Sequence, residues 1–83
     1  MKNVKFTFSP SVTKHLLLMC SNLRSIGHCA SSTGAGQTAV LTTLQLDYGD
    51  DANAVLALSI LVWTKFGHDD EATLRKHLAE LLE

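Results

Sequence analysis

The stretch SSTGAGQT, Ser31 to Thr38, concentrates hydroxyls and two glycines as loops that grip phosphate through backbone N–H groups do. A nucleotide phosphate loop needs Gly, four residues, then Gly-Lys and Ser or Thr, with the lysine reaching the terminal phosphates. Aligned on Gly36, the chain has Ser31 where the first Gly belongs and Gln37 where the Lys belongs. Only Thr38 fits, and Ser25 to Ala30 do not read as the buried strand that should precede such a loop. The segment is therefore expected to be a loop whose Thr33 or Gly36 starts a helix. Weak anion or nucleotide binding at that helix N-terminus is the most it is expected to provide.

His15, Cys20, His28 and Cys29 have the donor atoms of a tetrahedral zinc site. Five positions apart on a helix, His15 and Cys20 point about 140° away from each other, so no metal is expected. His68, Asp69, Asp70 and Glu71 could do acid–base work, but acidic residues in a first helical turn are explained by the dipole and the free N–H groups there. Cys29 beside His28 is adjacency in sequence, which does not activate a thiol. These readings give no catalytic residue and no cofactor, and the chain is expected not to be an enzyme.

YGDD, Tyr48 to Asp51, resembles the metal-binding tetrad of viral RNA-dependent RNA polymerases, in which carboxylates hold two magnesium ions. Four residues carry that resemblance, and a polymerase palm does not fit in 83. A helix stopped at Gly49, followed by one capped by Asp50 or Asp51, accounts for the same letters.

The elements that must position any site follow from the apolar pattern. Val4, Phe6 and Phe8 alternate with Asn3, Lys5 and Thr7, as in a short N-terminal β-strand or extended arm. Ser9-Pro10 then starts a first helix, expected over 10–26 and ending at Gly27, with a stripe of Val12, Leu16, Met19, Leu23 and Ile26. Leu17, Leu18 and Cys20 lie outside the stripe. The small, polar segment 28–36 reads as the clearest loop. A second helix is expected over 37–48 with Val40, Leu41, Leu44 and Tyr48 inward, and a third over 52–66, apolar nearly all round and hence central. Asp69 is expected to cap a fourth, with Leu74, Leu78, Leu81 and Leu82 on one face and Arg75, Lys76 and Glu80 on the other.

The fold class is thus mainly α: one domain over 1–83, a small bundle of about four helices. Hydrophobic residues make up 46% and charged ones 18%, which is a folded composition, and a net charge of −1 provides no field for nucleic acid or an anionic membrane. Two cysteines are too few for a disulfide framework, and the longest apolar run, Val55 to Trp63, is too short to span a bilayer. A reduced, cytoplasmic protein is expected, with no membrane association.

A short alternating strand followed by Ser-Pro and an amphipathic helix resembles the opening of ribbon-helix-helix repressors over residues 2–27. That resemblance implies a dimer whose paired strands enter the DNA major groove, with Asn3, Lys5 and Thr7 facing bases and Val4, Phe6 and Phe8 in the dimer core. The chain departs from the pattern in its Ser/Gly-rich segment and in its two further helices. The reading preferred on composition is a non-enzymatic adaptor, inhibitor or regulatory subunit that binds another protein, as a homodimer. The first and third helices carry apolar residues on more faces than a small monomer covers. Val4, Phe6, Phe8 and Leu17 are the residues expected to meet the partner or second copy.

Overall fold

The computed structural model describes residues 6–82. The chain forms five α-helices, α1 (Pro10–Leu18), α2 (Cys20–Ser32), α3 (Gly34–Tyr48), α4 (Ala52–Phe66) and α5 (Glu71–Leu81), with a 3-10 turn, Gly49–Asp51, before α4. No strand occurs among the described residues. The described part of the arm, residues 6–9, is held by a hydrogen bond from the Phe6 N–H to the Leu81 carbonyl, 3.2 Å, at the end of α5. Residues 1–5, where the expected strand begins, lie outside the described residues.

Ser9 caps α1 as expected, its hydroxyl accepting from the Val12 N–H at 3.3 Å, with Pro10 in the first turn. The single helix expected over 10–26 is instead broken at Met19, whose N–H is shared between the His15 and Leu16 carbonyls at 3.2 and 3.3 Å. No proline or glycine marks this bend. Leu16, Cys20 and Leu23, all fully buried, enter the core from both sides of it, so tertiary packing sets the break. Cys20, placed off the stripe by its spacing, is brought inside by the change of direction.

Gly27 does not end a helix, and the segment 28–36, expected as a loop, is helical but for one residue: α2 runs to Ser32, and Thr33 alone separates it from α3. The physical reason lies in the packing of α2 on α4. Gly27 is buried where a Cβ would overlap the backbone carbonyl of Ser59 and the Cβ of Trp63, so the glycine serves close helix approach rather than a turn. Ser59 is itself buried, its hydroxyl donating to the Val55 carbonyl at 2.8 Å. Thr33 is extended (φ −151°, ψ 162°), and its hydroxyl accepts from the Gly36 N–H at 2.8 Å. That confirms Thr33 as the helix start.

The expected bounds of the helix over 52–66 are those of α4, and its central position holds: it packs against α2, α3 and α5 and buries Val55, Leu56, Leu58 and Val62. Gly49 ends α3 with φ 55°, the left-handed conformation that favours glycine. Asp51 stands at the α4 N-cap without a side-chain capping bond. Asp70, rather than Asp69, caps α5 by accepting from the Thr73 N–H at 3.1 Å. Hydrogen bonds from Thr73 hold the Asp70 carboxyl below the usual carboxylate range. Leu74, Leu78 and Leu82 are buried as expected, and Leu81 half-buried.

Two arginines tie the bundle together. From α2, the Arg24 guanidinium donates to the carbonyls of Phe66 and Asp69, at the C-terminal end of α4 and in the connection to α5. A cation suits that end of a helix, and one guanidinium nitrogen, Nη1, serves both acceptors. Arg75 donates to the Leu17 carbonyl at 3.3 Å and pairs with Glu71 at 2.9 Å, but in an exposed setting. Arg24→Met is expected to cost about 1–2 kcal/mol, because charge-assisted bonds at a part-buried site are worth more than exposed pairs. Urea unfolding should show a lowered midpoint with an unchanged slope; an unchanged midpoint would contradict this role.

Candidate partner-binding surface

Helices α2 and α3 form a hairpin around Thr33 and leave between them an open groove of about 440 Å³. Met19, Ile26 and Cys29 line it from the α2 side, and Ala39, Val40, Thr43, Leu44 and Tyr48 from α3. Only Leu44 of these is fully withdrawn from solvent; Met19, Ile26, Val40 and Tyr48 are half-buried. The groove exists because α2 commits its opposite side, Leu23, Gly27 and Ala30, to the core.

Asp47 is the charged residue of this lining. It stands at the C-terminal end of α3, shortly before Asp50 and Asp51, so that end of the groove is acidic. Burial, and secondarily the Asp47 carboxylate, push the Tyr48 hydroxyl above its ordinary pKa, and it donates to the Met19 sulfur at 3.3 Å. His15 lies against the same tyrosine, ring centroids 5.9 Å apart. A neighbouring cleft lined by Val12, His15, Asp47 and Tyr48 continues the surface onto α1.

The arm residues expected to meet a partner are used first by their own chain. Phe6 and Phe8 stack with centroids 6.4 Å apart and, with Leu17, pack half-buried against the core. Phe8 and Leu17 are brought together with Thr7 in a groove of about 420 Å³ that also includes Pro10, Lys14 and Leu82. Thr7 is exposed. Val4, Asn3 and Lys5 lie outside the described residues.

The chemistry-bearing residues take structural positions. Ser31 to Thr38 spans the end of α2, the Thr33 turn and the first turn of α3, a helix–turn–helix rather than strand–loop–helix path. The YGDD tetrad is the end of α3 and the 3-10 turn. Among the described residues no three of His, Cys, Asp and Glu gather as a metal-binding group. Cys20 is buried and Cys29 exposed, both as free thiols. The His28 ring packs on Trp63, 4.3 Å between centroids, and His77 stacks on Phe66 at 4.4 Å, with Asp69 and Glu80 carboxylates 3.7 and 3.8 Å from its nitrogens.

The α2–α3 groove is not legible in the sequence because the local pattern of 28–36 reads as a loop, which hides the hairpin that sets Met19, Ile26 and Cys29 beside α3. One signal was present: from Ser25 to Leu46 the chain has no Asp, Glu, Lys or Arg. So long an uncharged stretch in an 18% charged protein marks a surface unlike the rest. Among the described residues the exposed large apolar ones are Leu18, 74% exposed, and Leu46, 84% exposed. The excess apolar surface expected on the third helix is absorbed by the core around α4, and α3 has it instead. No helix among the described residues is long and apolar enough to cross a membrane. No protein-family model matches the chain, and neither a curated protein nor a solved structure is significantly similar to it.

Proposed function

We propose that the chain is a small, non-enzymatic protein-binding module of the cytoplasm, working as a homodimer. The observation that carries this reading is the open, mostly apolar α2–α3 groove. Grooves between paired helices take the apolar face of an amphipathic helix from another protein, with anchors spaced three and four residues apart. Ile26, Val40 and Leu44 would meet such anchors, and the acidic end at Asp47 favours a partner with a basic residue there. The free thiols of Cys20 and Cys29 agree with a reducing compartment. In this reading Phe6, Phe8 and Leu17 support the arm, and the groove takes the place of the arm as the partner site.

Thr43 is exposed on the groove wall, so Thr43→Arg should fill the groove and reverse its charge preference without touching the core. Affinity capture from native lysate, followed by quantitative mass spectrometry, should recover a partner with the wild-type chain and at least about tenfold less of it with the variant, the loss that corresponds to about 1.4 kcal/mol or more at the interface. Equal recovery by both chains would overturn the groove reading. Cross-linking that maps the partner to Phe8 and Leu17 would return the site to the arm.

A further inference from the structure

We propose that a second copy of this chain covers the outer face of α3, the two helices running antiparallel across a twofold axis. The proposal rests on the homodimer part of the reading above and assigns it a surface. At about 100° per residue, the core-facing side of α3 is set by Val40, Leu41, Leu44 and Tyr48. Directly opposite run Ala35, Ala39, Thr42 and Leu46, in steps of four, three and four, all exposed. Leu46 is the most exposed large apolar side chain among the described residues. A helix with apolar residues on both faces has a second surface to cover.

The threonines of α3 make this face drier than their hydroxyls suggest. Thr38 donates to the Gly34 carbonyl at 3.1 Å, Thr42 to Thr38 at 3.0 Å and Thr43 to Ala39 at 3.2 Å. Each hydroxyl proton is thus satisfied within the helix, leaving the methyl group to a neighbouring surface. No charged residue interrupts the stripe.

Two features select a second copy as the occupant. Large and small residues are placed so that the face complements itself: in an antiparallel pair whose position numbers sum to 81, Leu46 of each copy meets Ala35 of the other, and Ala39 meets Thr42. A twofold interface requires this, with one patch supplying both knob and hole. The charges agree with the same register. The negative C-terminal end of each α3, with Asp50 just beyond it in the 3-10 turn, comes to the N-terminal end of the other, where the first N–H groups of Gly34 and Ala35 present the positive end of the helix dipole. A parallel pair would set the acidic ends against each other. One helix packed on its twin is a small interface, so association in the micromolar range is expected. Ala39 belongs both to this stripe and to the rim of the α2–α3 groove, and the second copy would raise that groove's wall.

Sedimentation equilibrium under reducing conditions, which excludes a disulfide through Cys29, tests the proposal on the full chain. At about 100 µM, well above a micromolar dissociation constant, wild type should have twice the 9.0 kDa chain mass. Leu46→Glu should weaken the dimer about a hundredfold, since each interface loses both of its large apolar side chains and gains two unpaired carboxylates. Ala35→Lys combined with Leu46→Glu should restore it, because 35 and 46 meet only between copies. Circular dichroism should be the same for all three, as both positions are exposed. A wild-type dimer that survives Leu46→Glu would move self-association to another face and leave the homodimer reading intact. A wild-type monomer at this concentration would overturn surface and homodimer together. Failure of the paired charges to restore the dimer would overturn the antiparallel register.

Discussion

Gly27→Ala is expected to destabilise the protein by about 2 kcal/mol, although the same change inside most helices is stabilising. Alanine is favoured over glycine in a helix interior by about 1 kcal/mol, and overpacking a close contact costs about 1–3 kcal/mol, occasionally more. The location of the overlap decides between them. A Cβ on Gly27 meets the backbone carbonyl of Ser59, and backbone cannot rotate aside as a side chain can. α2 and α4 must then separate, loosening Leu23 and Ala30 on one helix and Val55 and Val62 on the other. Gly34→Ala is the control, because no atom lies within 4 Å of a Cβ there. It should be neutral or stabilising by a few tenths of a kcal/mol, since only the helix propensity acts. Chemical unfolding of the two variants beside wild type checks both signs, and a stabilised Gly27→Ala would show that α2 and α4 are not in the close contact described.

Gly27 also shows how far the sequence could be read. A glycine near the end of an apolar stripe is the ordinary sign of a helix stop, and the partner that gives this one a different role, Ser59, is 32 positions away in the chain (59 − 27). The same holds for the Ser/Gly segment after it. Serine and glycine are poor helix formers, yet here Ala30 is buried in the core, and the Ser32 hydroxyl finds its partner inside the helix, donating to the His28 carbonyl at 2.9 Å. Where local signals and tertiary packing agree, sequence and structure coincide: α4 has its expected bounds, Thr33 caps α3, and Gly49 takes the positive φ that its position requires. The kink at Met19 had no local signal at all. In the groove, each apolar residue of α3 was visible, but the α2 wall needed the hairpin before the two could be placed side by side.

The larger loss is expected for Leu58→Ala, and comparison with Leu46→Ala separates what holds the fold from what the fold offers outward. Leu58 is fully buried in the central helix, and truncating such a leucine costs about 2–5 kcal/mol, the removed transfer energy plus the cavity left behind. An 83-residue chain is stabilised by roughly 4–12 kcal/mol in total at about 0.05–0.15 kcal/mol per residue, so this one change should remove at least about a sixth of the stability and, at mid-range values, more than a third. Leu46, 84% exposed, loses little contact within its own chain, and its truncation should move monomer stability by less than about 0.5 kcal/mol. Concentration brings out the difference. Binding to the native state adds stability by mass action, so the wild-type melting temperature should rise with protein concentration if α3 is covered by a second copy. Leu58→Ala should melt lower at every concentration but keep that rise, whereas Leu46→Ala should match wild type when dilute and fall behind it when concentrated. Thermal melts followed by circular dichroism across a hundredfold range of concentration read both effects. A Leu58→Ala variant as stable as wild type would contradict the central packing of α4, and a Leu46→Ala variant that follows wild type over the whole range would leave the outer face of α3 without a role in assembly.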